Sequence, residues 1–242
     1  MELIRCKNYE EASKVAGEII SASIKAKPNI VLGLATGSSP IGTYKKLIRD
    51  YENEVISFKN VKTYNLDEYV GIDRSCPQSY YYFMNENLFD HIDIDKNNVH
   101  IPYANPSNLE ASCKEYSKKL AKAKVDIQLL GIGANGHIGF NEPQTPFDQK
   151  TFIVQLTDKT RQDNQRFFSS LAEVPTQAIT MGIAEIMKAK KIVLIATGKN
   201  KAQAVKRLLA KEVTPDFPAS VLHLHNDVVV ITDEEALSLV KE

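Results

Sequence analysis

Three stretches of the chain carry side chains able to move protons or hold an anion. The first is Gly131-Ile132-Gly133-Ala134-Asn135-Gly136-His137-Ile138-Gly139-Phe140-Asn141-Glu142-Pro143. Its four glycines let the backbone turn sharply, and it sets an imidazole and a carboxylate five residues apart. An imidazole titrating near neutral pH can take and return a proton, and a carboxylate can orient its ring. A histidine that only hydrogen-bonds within a loop is the competing reading. The second stretch, Asn65-Leu66-Asp67-Glu68-Tyr69, ends an apolar run with two adjacent carboxylates. A helix cap, a solvated turn and a general base all stand open there, although the run aims Asp67 at the same edge as His137. The third is a near-repeat, Leu34-Ala35-Thr36-Gly37 and Ile195-Ala196-Thr197-Gly198, each ending a strand-like run and opening a helix. Thr36, Gly37, Ser38 and Ser39, with Lys201 three residues beyond Gly198, would suit an anion at exposed helix N–H groups, worth about 0.3–2 kcal/mol. Gly and Thr serving the turns alone is the plainer alternative.

Other patterns fall away. Neither Thr-Gly loop is a Walker A motif, which needs G-x-x-x-x-G-K-[ST]. The glycines from Gly131 to Gly136 imitate a dinucleotide fingerprint but run into His-Ile-Gly-Phe-Asn-Glu-Pro instead of a clean helix. His223-Leu224-His225 suggests a metal, yet no third ligand follows at a recognisable spacing, and His91 and His100 read as structural. Cys6, Cys76 and Cys113 are odd in number, far apart and form no C-x-x-C pair, so neither a disulfide framework nor a cysteine-rich zinc site is expected. Tyr80-Tyr81-Tyr82-Phe83 lies on a helical pattern and should be partly core. Arg166 fits a phosphate clamp or an ordinary helix-surface charge.

Something must carry these loops to one edge. Ile30–Ala35, Val61–Leu66, Val99–Ile101, Val125–Leu130, Ile192–Ala196 and Val228–Ile231 are short apolar runs of strand length. Helical spacing separates them: Ala12 to Ile24 behind an Asn8–Glu11 capping pattern, Tyr44 to Tyr51, Ser79 to Phe89 and Leu109 to Leu120. Apolar strands alternating with helices predict a doubly wound, mostly parallel, Rossmann-like α/β sheet with helices on both faces. Such sheets bind ligands beyond the carboxyl ends of their strands. No linker-like stretch interrupts the 242 residues, so one domain spanning 1–242 is expected, with loops near 141–150 and 211–218. Thirty basic against thirty acidic residues give no net charge, which argues against a nucleic-acid or acidic-membrane partner. The start, Met1-Glu2-Leu3-Ile4-Arg5, lacks a signal peptide's apolar core, and no apolar run approaches the ~20 residues of a membrane span, so a cytoplasmic location is expected.

Leu-Gly-Leu-Ala-Thr-Gly-Ser-Ser-Pro, Asn-Leu-Asp-Glu-Tyr-Val-Gly and Gly-His-Ile-Gly-Phe-Asn-Glu-Pro together resemble the glucosamine-6-phosphate deaminases, in the same order from about residue 30 to 232. The resemblance implies deaminating isomerisation of glucosamine 6-phosphate to fructose 6-phosphate and ammonia, with no metal or organic cofactor. It implies that Asp67 moves a proton from C2 to C1, and that His137 opens the sugar ring with support from Glu142 and Asn135. It also implies that Arg166, Lys201 and Thr36 to Ser39 hold the phosphate, with Tyr80 near the sugar. A lid from about Thr151 to Met181 is a further expectation.

Two departures qualify the resemblance. Longer bacterial members carry Asp where this chain has Asn135, so only hydrogen bonding transfers. Longer hexameric members bind an allosteric sugar phosphate through Ser, Arg and Lys at positions matching Thr145, Phe152 and Val154, so no such activation is expected and a monomer is favoured over a homo-oligomer. The alternatives are a 6-phosphogluconolactonase, whose Gly-His usually continues Thr-Ala-Ser-Leu-Phe, and a sugar-phosphate sensor, for whose helix-turn-helix the chain before the first sheet strand leaves no room.

Overall fold

Short, largely apolar runs form the central strands of the structure, a computed structural model that describes residues 1–103, 107–165 and 168–240. Numbered in chain order, the main-sheet strands are β1 (Glu2–Cys6), β2 (Val31–Leu34), β3 (Lys62–Asn65), β5 (Val99–His100), β6 (Ile127–Leu130), β9 (Lys191–Ala196) and β10 (Val228–Asp233). They lie in the order β1-β10-β9-β6-β2-β3-β5, and every neighbouring pair is parallel. A second, antiparallel sheet joins β4 (Asp67–Tyr69), β8 (Gln177–Thr180) and β7 (Phe152–Gln155).

The helices are α1 (Tyr9–Ala26), α2 (Ile41–Glu52), α3 (Tyr80–Asn87), α4 (Leu109–Ala123), α5 (Asp158–Asn164), α6 (Ile183–Ile186) and α7 (Ala202–Leu209). Alternation along each strand sends side chains to opposite faces. Val193, Ile195, Val229 and Ile231 pack with Ala12, Ala16 and Ile20 of α1 and Leu47 of α2. Ile192, Leu194, Val228 and Val230 pack with Tyr116 and Leu120 of α4 and Val205 and Leu208 of α7. Burying each such aliphatic side chain contributes about 1.5–3 kcal/mol. The expected doubly wound α/β architecture is borne out. Asn8 also starts α1 as expected: its side chain accepts the Glu11 N–H at 3.0 Å, while the Glu11 carboxylate accepts the Lys7 N–H at 2.6 Å.

The strand order reverses at β2: the chain passes from β2 to β3 on one side, while β6, β9 and β10 build the other. A crevice therefore opens beyond the carboxyl ends of β2 and β6, as topological switch points require. Two elements differ from the sequence reading. β1 was not expected, because Glu2 and Arg5 flank its few apolar residues. Asp67 does not sit in a loop after β3; only Leu66 separates that strand from β4, which Asp67 begins. No helix among the described residues is long and apolar enough to cross a membrane. All three cysteines are free thiols.

Candidate active site

The chain segments that follow β2, β3, β6 and β9, with residues of β4, α3 and α5, line a cleft of about 440 Å³ that includes Thr36 to Ser39, Asp67, Tyr80, Gly133, His137, Thr160, Asn200 and Lys201. That size lies within the usual range for small-ligand sites, about 300–1,000 Å³.

The adjacent carboxylates divide their work because consecutive strand residues face opposite ways. Glu68 is the cap. It accepts the backbone N–H groups of Tyr69, Tyr80 and Tyr81, each at 2.9 Å, and so holds the start of α3 beside the Ser79 cap. Asp67 faces the cleft and is buried, 6% exposed. Burial first, and the neighbouring Glu68 charge second, push its carboxyl up to about 8. Asp67 pairs across the sheet with Thr180, whose hydroxyl accepts the Phe140 N–H at 3.1 Å. The small sheet thus braces Asp67 against the histidine loop. Gly139, at φ +56°, lies so close that a Cβ there would stand 3.5 Å from Asp67 Oδ2.

His137 is held by a relay. Asn135 Nδ2 donates to Glu142 Oε2 at 2.7 Å, which turns Asn135 Oδ1 towards His137 Nδ1, also at 2.7 Å. A carbonyl oxygen can only accept, so Nδ1 carries the hydrogen and Nε2 is the basic nitrogen of the neutral ring. Glu142 Oε2 lies 3.7 Å from Nδ1, so Glu142 reaches the imidazole through Asn135. The ring lies flat against Gly133, where a Cβ would come within 2.2 Å of Cε1.

Gly37 adopts φ +86° and turns the loop after β2 into α2. The Tyr9 hydroxyl fastens that turn, donating to Ser38 O at 3.0 Å and accepting the Gly42 N–H at 2.8 Å. Lys201 enters the cleft from the loop after β9. The second Thr-Gly loop corrects the symmetrical phosphate reading. Gly198 repeats φ +86°, but its N–H donates to both carboxylate oxygens of Asp233, at 2.9 and 3.0 Å. An internal carboxylate fills that anion seat, and this loop gives the cleft Asn200 and Lys201 instead.

Most expected site residues converge. Thr36, Gly37, Ser38, Ser39, Asp67, Tyr80, His137 and Lys201 line the cleft, while Asn135 and Glu142 stand behind the imidazole. Arg166 lies outside the described residues. Sequence reasoning missed Thr160, which lines the cleft from α5, and Tyr69, whose hydroxyl lies 3.3 Å from that of Tyr80. Thr157-x-x-Thr160, a helix-cap spacing, was the available signal for the first. The remaining histidines are structural: His91, His223 and His225 contact the carbonyls of Glu86, Leu208 and Ala189, and His100 packs on Tyr64. Among the described residues no group of three or more His, Cys, Asp or Glu could hold a metal.

Residues 7–231 match the sequence profile of the glucosamine-6-phosphate isomerases/6-phosphogluconolactonase family. The chain belongs to this family. Within the isomerase/lactonase family, a Clostridium botulinum (strain Langeland) protein named glucosamine-6-phosphate deaminase is 53% identical over 242 residues, covering 100% of this chain and 99% of its own. A Thermoanaerobacter sp. (strain X514) protein of the same name is 55% identical over 243 residues, covering 100% and 96%. The solved structure of a monomeric glucosamine-6-phosphate deaminase superposes with a TM-score of 0.97 at 50% identity, covering 99% of this chain and all of the other. The 6-phosphogluconolactonase of Trypanosoma brucei superposes at 0.81 with 19% identity, a likeness of fold alone.

Proposed function

We propose that this chain is a deaminating aldose–ketose isomerase of amino-sugar catabolism, converting glucosamine 6-phosphate and water to fructose 6-phosphate and ammonia. The observation that carries the reading is one cleft shared by a desolvated carboxylate, a relay-held imidazole and an anion-binding turn. In the pyranose ring the C2 proton is not acidic. His137 Nε2 takes the anomeric hydroxyl proton and passes it to the ring oxygen as the ring bond breaks, so that oxygen leaves as a hydroxyl and the aldehyde is exposed. Asp67 then removes the C2 proton while the carbonyl oxygen takes a proton from the C2 ammonium group, giving an enolamine, and the Asp67 proton returns to C1, leaving an iminium at C2. Water adds at C2, one of its protons passes to the nitrogen, and ammonia departs as the C2 oxygen gives up its remaining proton and becomes the ketone. A carboxylate lifted towards neutral pH is a better match for a carbon acid than an ordinary one.

Thr36 to Ser39, Lys201 and Arg166 hold the phosphate, fixing the reacting carbons without joining in bond changes. Tyr80 bounds the sugar, stacking on Phe140 at 6.2 Å and 17°. Every step is proton transfer or hydration, so the chemistry requires no cofactor. Residues 151–181 act as a lid; Arg161 supports this by donating to the Leu171 and Val174 carbonyls, which ties α5 to the chain beyond it. The protein acts as a monomer, and a charged sugar phosphate that cannot cross a bilayer unaided places it in the cytoplasm.

A coupled assay tests the reading: glucosamine 6-phosphate should yield ammonia and fructose 6-phosphate in equal amounts. Hydrolysis of 6-phosphogluconolactone without ammonia release, or tight binding without turnover, would overturn it.

A further inference from the structure

The relay behind His137 does not end at Glu142. That carboxylate is buried, 8% exposed, and its two oxygens are held from different parts of the chain. Oε2 accepts from Asn135 in its own loop, and Oε1 accepts the hydroxyl of Thr160, which arrives on α5. The direction of that second bond is set locally. Thr157 is the N-cap of α5, with Oγ1 accepting the Thr160 N–H at 3.2 Å. The Thr157 hydroxyl in turn donates to Thr160 Oγ1 at 3.0 Å. The Thr160 hydroxyl thus accepts from Thr157 and gives its one proton to Glu142, whose carboxylate oxygen can only accept.

We propose that Thr160 is a positioning residue for ring opening: its hydroxyl fixes Glu142 so that Asn135 presents its carbonyl to His137 Nδ1. This rests on the functional reading above and names a part of the machinery outside the histidine loop. Without the hydroxyl, the carboxylate is free to rotate about its last bond. Asn135 then loses the partner that orients its amide, and the imidazole loses its fixed tautomer. Because α5 also opens the segment carrying Arg166, the same helix that completes the relay belongs to the part of the chain assigned to the phosphate.

The test is Thr160→Val, which keeps the shape and removes the hydroxyl. Expected is a 10- to 100-fold fall in kcat with KM for glucosamine 6-phosphate changed less than about threefold. Thr160→Ser should restore kcat to within about threefold of the parent. On a Glu142→Gln background the valine substitution should cost little more, because both changes break the same link. A parental kcat in Thr160→Val, an equal loss in the serine variant, or full additivity with Glu142→Gln would overturn the proposal. Should the valine variant not fold, Thr160→Ala reads the same point by the same criteria. Absence of ammonia release by the parent enzyme would instead refute the functional reading, so the two failures are distinguishable.

Discussion

Replacing Asp67 with asparagine separates catalysis from folding through one ionisation. The Asp67 carboxyl is pushed up to about 8 against an ordinary 3.8. At pH 7 about a tenth of the unliganded enzyme, and at pH 6 about a hundredth, therefore carries the base in its charged form. Parent kcat/KM should rise about tenfold per pH unit up to pH 8 and then level. A positioned base contributes about 10²–10⁴-fold, so Asp67→Asn should be lower by that factor at pH 9, the gap narrowing roughly a hundredfold by pH 6. Stability moves the other way. Between the ordinary value and about 8, the unfolded chain has released this proton while the folded chain keeps it. Stability from this group thus falls with rising pH by about 1.4 kcal/mol per unit and levels above pH 8. Asparagine is neutral throughout. Urea unfolding at pH 6, 7, 8 and 9 should show the variant gaining on the parent by about 2–3 kcal/mol across that range. A constant stability difference together with parallel rate profiles would show that Asp67 ionises as an ordinary carboxyl and would refute the reasoning.

Gly133→Ala would place a methyl 2.2 Å from the imidazole, so kcat should fall by about 10²-fold or more while far-UV circular dichroism stays parental. If Lys201 holds the phosphate as proposed, Lys201→Met should remove a charge-assisted contact worth about 1.5–3 kcal/mol, raising KM about 10- to 100-fold with a smaller change in kcat. Phe152 and Val154 of β7 are uncharged where the resemblance would put the cations of an allosteric site; on the proposed reading, rate curves should stay hyperbolic with or without N-acetylglucosamine 6-phosphate, and a sigmoidal curve made hyperbolic by that compound would contradict it. Limited proteolysis between residues 151 and 181 should slow when a sugar phosphate is bound, and equal cleavage with and without ligand would contradict the lid.

Most of the parallel sheet was legible because its central strands are apolar on both faces and its helices are periodic; β1 was not, because Glu2 and Arg5 break its apolar run. Ile192 to Ala196 and Val228 to Ile231 needed no context. The small antiparallel sheet was not legible, since Asp67-Glu68-Tyr69 has neither length nor alternation and becomes β4 only by pairing with β8. At the site, His137, Asn135 and Glu142 lie within eight residues and could be read together. What required coordinates was contact between distant segments. The alternation that gives Glu68 to α3 and Asp67 to the cleft is one case. The Asp233 carboxylate in the second Thr-Gly turn is another, because nothing near Gly198 announces a partner thirty-five residues away. Thr160 is the third: its hydroxyl gains meaning only once α5 lies over Glu142.

The convergence of base, imidazole and anion seat on one hexose phosphate is tested most directly by a crystal structure of Asp67→Asn holding glucosamine 6-phosphate. The expected complex has the phosphate on the Thr36–Ser39 turn and Lys201, with C1 and C2 between residue 67 and His137. A sugar phosphate seated elsewhere, or one whose C2 faces neither side chain, would contradict it.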